Sequence, residues 1–343
     1  MKIVALFPAS TGSSQLLTKE ASLGLRDFLN GTEDELVLIT DDKEIDQHIE
    51  DMDVVISSPF LPAYITKERV EKAKNLKLAI TAGIGSDHVD IEAAAEKGIT
   101  VAEVTGSNNE SVAEQNVMET LLLLRNYEEG HRQAEEGEWD LPRVGSGANE
   151  LLNKKVGIFG FGRIGQLTAE RLKAFNVELQ YNDPFRKKDA EERIGVEYVT
   201  FDELIKSSDV VIIQSPLTAD TENKFDQEII SQMKENAVLV NCARGAIVDK
   251  NAIVHAVNDG RIRYGGDVWY PQPAPVDHPW RSLKQTGLTV HYSGMTLEAQ
   301  ERIQKGVIEM LTNLMENTPI RDEYIIVDKN KVSHQSYQTN KNK

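Results

Sequence analysis

The sequence predicts an α/β protein built of two doubly wound parallel-sheet domains, and three observations carry that prediction. Short β-like apolar runs alternate with helical stretches along nearly the whole chain. The alternation comes as two series, separated by a Gly/Pro/Asn-bearing stretch at Pro142–Asn149. At 343 residues the chain is long enough to give each series its own core.

In the first series, strands are expected near Ile3–Phe7, Leu36–Ile39, Val54–Ser57, Leu76–Thr81 and Thr100–Val104. Helices fall between them at Thr66–Ala73 and at Ile91–Lys97, the latter stopped by Gly98. One long helix is expected from Ser111 toward Gly137. Ser111 and Glu114 have capping-box spacing, and Val112, Val117, Met118, Leu121, Leu122 and Leu124 supply its apolar positions. The second series predicts strands at Val156–Phe159, Val177–Tyr181, Val210–Gln214, Ala237–Asn241, Gly265–Trp269 and Leu288–Tyr292. Its helices are expected at Ile164–Ala174, Phe201–Ser207, Gln227–Met233 and Ala252–Val257. An amphipathic helix over Leu297–Glu316 then leads to PIRDEYIIV and a polar tail, Ser333–Lys343, expected to be mobile.

Composition narrows the function. The net charge of −17 repels phosphate backbones and anionic lipid, which argues against nucleic-acid or membrane binding. It also means that an anionic substrate would need dedicated cations. Cys242 is the single cysteine, so an intrachain disulfide is excluded. The opening MKIVALFPAS reads as a strand and not as a signal peptide, and the run Leu121–Leu124 is far too short to span a bilayer. A cytoplasmic protein is expected.

The sharpest local motif is Val156-Gly-Ile-Phe-Gly160-Phe-Gly162-Arg163-Ile164-Gly165, which follows an apolar run and opens a helix. Gly160 permits the tight turn, Gly162 lets a pyrophosphate approach the backbone, and Gly165 lets helix and strand pack closely. The helix N-terminus offers N–H groups and a partial positive charge to the phosphates. Asp183 ends the next strand about 20 residues on, where a carboxylate can hold ribose hydroxyls and disfavour a 2′-phosphate. This Rossmann-like pattern predicts NAD over NADP. Arg186 and Lys187 nearby leave absolute selectivity open, and Asp183 can also be read as a solvated strand-end acid.

Three later segments bring polar groups to strand ends: Asn241-Cys-Ala-Arg244, Gly266-Asp267 through PQPAPVDHPW, and Val290-His291-Tyr-Ser293-Gly294. An arginine can fork onto a carboxylate, and a histidine can donate, accept or move a proton. Singly, each is as easily a surface ion pair or a satisfied core histidine. Cys242 reads as a small buried hydrophobe more readily than as an oxidation-sensitive thiol. His88 and Asp277-His278 read as a turn bond and a loop brace. No Cys/His cluster has metal-ligand spacing.

With the dinucleotide motif, these segments resemble the D-2-hydroxyacid dehydrogenase family, which uses an Arg–Glu–His constellation. Gln272 departs from it and is similar to the NAD-dependent formate dehydrogenase branch. Ser58-Pro59-Phe60-Leu-Pro-Ala-Tyr64, Asn75 through Ile84-Gly-Ser-Asp-His88, and Val101-Ala-Glu-Val-Thr-Gly-Ser-Asn108 resemble the same branch. The substitution suits the chemistry. Formate is already an anion and loses only hydride, so no carboxylate-tuned base is needed, and a neutral glutamine adds no second negative charge.

The resemblance implies that Arg244 and Asn108 hold the formate oxygens with the Ile84 amide, and that Gln272 locks His291 beside them. Pro59 and Phe60 would form an apolar wall. Arg163 and Ile164 would meet the pyrophosphate, Asp267 and Ser293 the nicotinamide carboxamide, and Pro216 and Gly294 would also line the coenzyme. It further implies a catalytic domain of 1–109 and 295–343, an NAD-binding domain of 110–294, an active site in the cleft between them that domain closure completes, and a homodimer. Val290, Tyr292 and Gly106-Ser107 depart from that pattern beside the pocket. Two rivals stand against this reading: a hydroxyacid dehydrogenase acting on a larger acid, and an NAD(H)-sensing regulatory protein.

Overall fold

A computed structural model describes residues 1–7, 22–283, 287–328 and 330–333. The chain divides into two compact units, Met1–Asn108 with Gly294–Lys343, and Asn109–Ser293. In chain order the strands of the described residues are β1 (Lys2–Leu6), β2 (Glu35–Ile39), β3 (Val54–Ser57), β4 (Leu78–Thr81) and β5 (Thr100–Glu103). The second unit contributes β6 (Lys155–Phe159), β7 (Glu178–Asn182), β8 (Glu197–Tyr198), β9 (Val210–Ile213), β10 (Ala237–Asn241), β11 (Ile262–Gly266) and β12 (Gly287–Leu288). The chain returns to the first unit for β13 (Ile325–Asp328) and β14 (Lys331–Val332).

The first unit is one sheet in the order β14-β13-β5-β4-β3-β1-β2. Its strands β1 to β5 pair in parallel, while β13 runs antiparallel to β5 and β14 to β13. Alternate residues of each parallel strand feed two cores. Val4, Val55, Ala79 and Val101 pack on one face, and Ile3, Ala5, Ile56 and Ile80 on the other. Burial on both faces is why these strands read as unbroken apolar runs. The helix Leu297–Glu316 covers one face, started by Thr296 over the Ala299 amide and stopped by Asn317 in the left-handed region. At Gly306 a side chain would collide with Val104, so this glycine sets how closely that helix lies on the sheet.

The second unit is an all-parallel sheet in the order β12-β11-β10-β9-β6-β7-β8. Chain direction across the sheet reverses between β6 and β9, so the ends of these two strands form the switch point at which open α/β sheets bind ligands. Here too the alternation is strict: Val211 and Ile213 enter one core, Val210 and Ile212 the other.

Several expectations are corrected. The long helix from Ser111 is two helices, Asn109–Leu124 and Tyr127–Glu136. Asn126 breaks it at φ 51, held there by bonds from its Nδ2 to the carbonyls of Val144 (2.9 Å) and Ser146 (2.8 Å). Ser111 does not cap, because the helix begins two residues before it. The stretch after it contains a short helix, Leu141–Gly145, capped by Asp140. β11 lies earlier than Gly265–Trp269, ending at Gly266 with φ 146, and β12 stops at Leu288 because the amides of Tyr292 and Ser293 bond to Asp267 and not to a neighbouring strand. The IIV segment before the tail forms β13. Of the tail expected to be mobile, 334–343 lie outside the described residues, as do 8–10 of the opening segment. No helix of the described residues is long and apolar enough to cross a membrane.

Candidate functional site

In the second unit, β6 runs into the glycine loop at the switch point. Gly160 has φ 94, and a side chain there would press on the backbone of Gln214 and Ser215 at the end of β9. At Gly165 a Cβ would sit 2.5 Å from the Gly160 carbonyl, so this glycine permits the helix Arg163–Lys173 to pack on the loop. Gly162 faces open space, and no side chain caps the helix at this residue. That combination is a cradle for an anion: exposed backbone, N–H groups at a helix start, and room. Arg163 is exposed and Ile164 half-buried at its edge.

Asp183 directly follows β7. Its Oδ2 accepts from the Phe161 amide and its Oδ1 from the Phe185 amide, each at 2.8 Å. The carboxylate therefore braces the glycine loop from the end of β7. Arg186 is turned onto Glu191 by two bonds of 2.9 Å and lies over the Tyr198 ring. This Arg186 fork and the Tyr181 hydroxyl hold the Glu191 carboxyl down at about 2. Pro216, after β9, accepts at its carbonyl from the hydroxyls of Ser215 and Thr221.

Arg244 follows β10 in a turn built by the wholly buried Asn241, whose side chain accepts from the Ala243 amide (3.1 Å) and donates to the Arg244 carbonyl (3.0 Å). The Arg244 Nη1 donates to the Ala243 carbonyl at 2.7 Å. Gly245 allows the Trp269 backbone to pass where a side chain would collide with it. Asp267, just past β11, is fully buried, and its Oδ2 accepts from the amides of Tyr292 (3.0 Å) and Ser293 (2.6 Å). Its Oδ1 is buried with no hydrogen-bond partner. A buried carboxylate oxygen left open calls for a donor, and the amide of a nicotinamide is a donor of that kind.

His291 and Gln272 are brought together: Nδ1 of the imidazole lies 2.8 Å from Nε2 and 3.0 Å from Oε1 of the glutamine amide. The segment that presents Gln272 is braced by His278, which bonds the Tyr270 carbonyl at 3.1 Å and accepts from the Trp280 amide. Burial lowers the affinity of His278 for a proton. Cys242 is buried, and burial pushes its thiol up, with the negative charges of Asp267 and Glu119 adding to the effect. A thiol so raised is a poor nucleophile.

In the first unit, the ends of β3, β4 and β5 bring together Pro59, Phe60, Ile84 and Asn108. A Cβ at Gly83, which has φ 146, would stand 2.9 Å from Pro59, and one at Gly294 would collide with the Asn108 amide and touch the Phe60 ring. Asn108 is buried, and its Oδ1 has no hydrogen-bond partner. Ile84 sits in a turn that Glu103 organises: the buried carboxylate accepts from the Gly85 amide (2.9 Å) and the Ser86 hydroxyl (3.1 Å). Glu103 was not among the expected site residues. Its sign in the sequence is an acid closing the apolar run of β5. His88 bonds the Ser57 hydroxyl at 2.6 Å inside the unit, as a structural histidine does. Among the described residues no group of three or more His, Cys, Asp or Glu is arranged to hold a metal ion.

Comparison with known proteins agrees with the fold. Residues 117–293 match the D-isomer specific 2-hydroxyacid dehydrogenase, NAD binding domain. The mitochondrial formate dehydrogenase of Solanum tuberosum is 46% identical over 317 residues, covering 90% of this chain and 83% of its own. The formate dehydrogenase of Pseudomonas sp. (strain 101) is 45% identical over 312 residues, covering 89% and 78%. A solved NAD-dependent formate dehydrogenase of Staphylococcus aureus, in complex with NAD, matches at a TM-score of 0.91 and 55% identity, covering 95% of this chain and 99% of that one. The chain belongs to the D-isomer specific 2-hydroxyacid dehydrogenase family, in the branch formed by the formate dehydrogenases.

Proposed function

We propose that this protein oxidises formate to carbon dioxide with NAD as cofactor. The observation that carries the reading is the pairing of His291 with a neutral amide, Gln272, in place of a carboxylate. A carboxylate partner would favour a charged, proton-accepting imidazole. A glutamine donating through Nε2 leaves the ring neutral, with a proton on its far nitrogen to donate to an anion. That arrangement orients a substrate that has no proton to lose.

In this reading Arg244 forks onto formate, Asn108 and the Ile84 amide bind its oxygens, and His291 donates to it. Pro59 and Phe60 restrict the space to a one-carbon acid and exclude water. Gly160, Gly162 and Gly165, with Arg163 and Ile164, hold the pyrophosphate; Asp183 holds the ribose, and Asp267 and Ser293 hold the carboxamide, with Pro216 and Gly294 beside them. Residues 110–294 then serve the coenzyme, and 1–109 with 295–343 the substrate. When bound, NAD supplies the acceptor for the hydride that formate gives up. Catalysis rests on orientation and preorganised charge. The protein acts as a cytoplasmic homodimer in this account, which a solution mass twice that of the chain would support.

The test is NADH absorbance with purified protein, NAD and formate, beside lactate, glycerate and glyoxylate-type controls. Turnover of formate alone supports the reading. Turnover of a larger hydroxy acid would move the chain to the sister enzymes, and NADH binding without any turnover would favour a sensor.

A further inference from the structure

The second unit holds a buried carboxyl that none of the roles above uses. Glu119, in the helix Asn109–Leu124, has no exposed surface. Gln115 donates from Nε2 to its Oε1 at 2.8 Å and lies 3.4 Å from the Tyr292 hydroxyl. The Glu119 Oε2 is buried with no hydrogen-bond partner. A Cβ at Gly265 would stand 3.2 Å from that oxygen and one at Gly287 would collide with it, so these two glycines make its room beside β11 and β12. Packing alone explains such a group poorly, because an uncompensated buried charge costs far more than an apolar side chain of the same size.

Its surroundings are acidic. Asp267 beyond β11 and Glu128 on the helix Tyr127–Glu136 both act on Glu119 through their charges, and Glu119 acts on Cys242 beyond β10. The Tyr292 hydroxyl lies at the far side of Gln115. The cations on neighbouring elements are engaged elsewhere: Arg171 with Glu110 and Glu114, and Arg263 with the carbonyls of Leu123 and Gly147. Burial first, then Asp267, raises the Glu119 carboxyl to about 7, against the bond from Gln115.

We propose that Glu119 is a positioning residue that balances charge at the nicotinamide end through Asp267, ionised opposite the cationic oxidised ring and protonated opposite the neutral reduced one. The inference rests on the NAD reading above, with Asp267 at the carboxamide. Burial is the main force against ionisation of Glu119 and Asp267 adds to it; a positive ring beside Asp267 offsets that added repulsion, and a neutral ring restores it. Formate oxidation itself breaks one C–H bond, moves its electron pair and hydrogen to the ring, and releases carbon dioxide without a proton. The proton that Glu119 takes up on reduction comes from solvent.

The experiment measures dissociation constants of NAD⁺ and NADH from pH 5.5 to 8.5, by fluorescence, on the full-length protein, Glu119→Gln and Gln115→Leu. In the unsubstituted protein the ratio Kd(NADH)/Kd(NAD⁺) should rise with pH by about three- to tenfold, one unit of pKa difference between the complexes being tenfold. Glutamine does not titrate, so whatever rise survives in Glu119→Gln does not come from position 119. Glu119→Gln should lose most of the rise, and Gln115→Leu should move the inflection to higher pH. An identical profile in Glu119→Gln, or an unmoved inflection in Gln115→Leu, would overturn the proposal. Should Glu119→Gln fail to fold, Gln115→Leu decides alone. If the unsubstituted protein binds neither coenzyme, the NAD reading itself fails, and this inference with it.

Discussion

The Gln272 amide meets Nδ1 of His291 edge-on, with Nε2 at 2.8 Å and Oε1 at 3.0 Å. A carboxylate in its place would only accept, and would bring a negative charge to the proposed formate site. Gln272→Glu should therefore lower kcat/KM for formate by about ten- to a hundredfold, or about 1–3 kcal/mol. Steady-state kinetics with formate checks this; activity equal to the unsubstituted protein would undo the electrostatic argument.

Arg244 is fixed by the Asn241 turn and by its own bond to the Ala243 carbonyl. Arg244→Ala should remove a charge-assisted fork worth on the order of several kcal/mol, seen as loss of saturable formate dependence while NADH still binds. Arg244→Lys should recover only a fraction, because an ammonium is a point charge without the planar fork. Near-normal kinetics in Arg244→Ala would take the residue out of the mechanism.

Asp183 accepts two amides, and in the proposed function it holds the ribose, while the cation nearest in sequence, Arg186, is committed to Glu191. Asp183→Ser should weaken NAD about tenfold or more and improve the use of NADP. Some thermal stability should go too, since a serine cannot accept as both carboxylate oxygens do. KM values for the two coenzymes read the effect, and an unchanged preference would refute the ribose role. Glu191→Gln added to Asp183→Ser should improve NADP use further by releasing Arg186.

Glu119 makes stability depend on pH. Its carboxyl is raised from 4.5 to about 7, chiefly by burial. A raised acid contributes fully to stability only below its unfolded pKa, and that contribution is lost as pH climbs from about 4.5 through 7. Glu119→Gln should match the unsubstituted protein near pH 4.5 and exceed it above pH 7, by an amount on the order of 3 kcal/mol. Denaturant melts at the two pH values test the sign. Equal gains at both would point to packing and not to ionisation.

Much of this molecule is legible from residue patterns because its strands are buried on both faces. Apolar runs such as Val210–Ile213 announce themselves, and Gly160 and Gly165 mark a turn and a close helix approach that a side chain would block. What stayed hidden was decided by contacts distant in sequence. The helix break at Asn126 depends on carbonyls of Val144 and Ser146, and the short β12 on amides that Asp267 draws away from the sheet. The IIV segment becomes β13 only by pairing with β5, from which more than 200 residues separate it. Glu103 and Glu119 are hidden for a related reason: an acid's burial depends on the turn or glycines it packs against, and a linear pattern does not report them.

The central claim, direct transfer from the C–H bond of formate to the coenzyme, is tested most directly with deuterated formate. The NADH produced would be isolated and its reduced ring examined by NMR and mass spectrometry. The account predicts one deuterium per reduced ring, on a single face, with slower turnover than for unlabelled formate. Unlabelled NADH, or no NADH from formate at all, would contradict it.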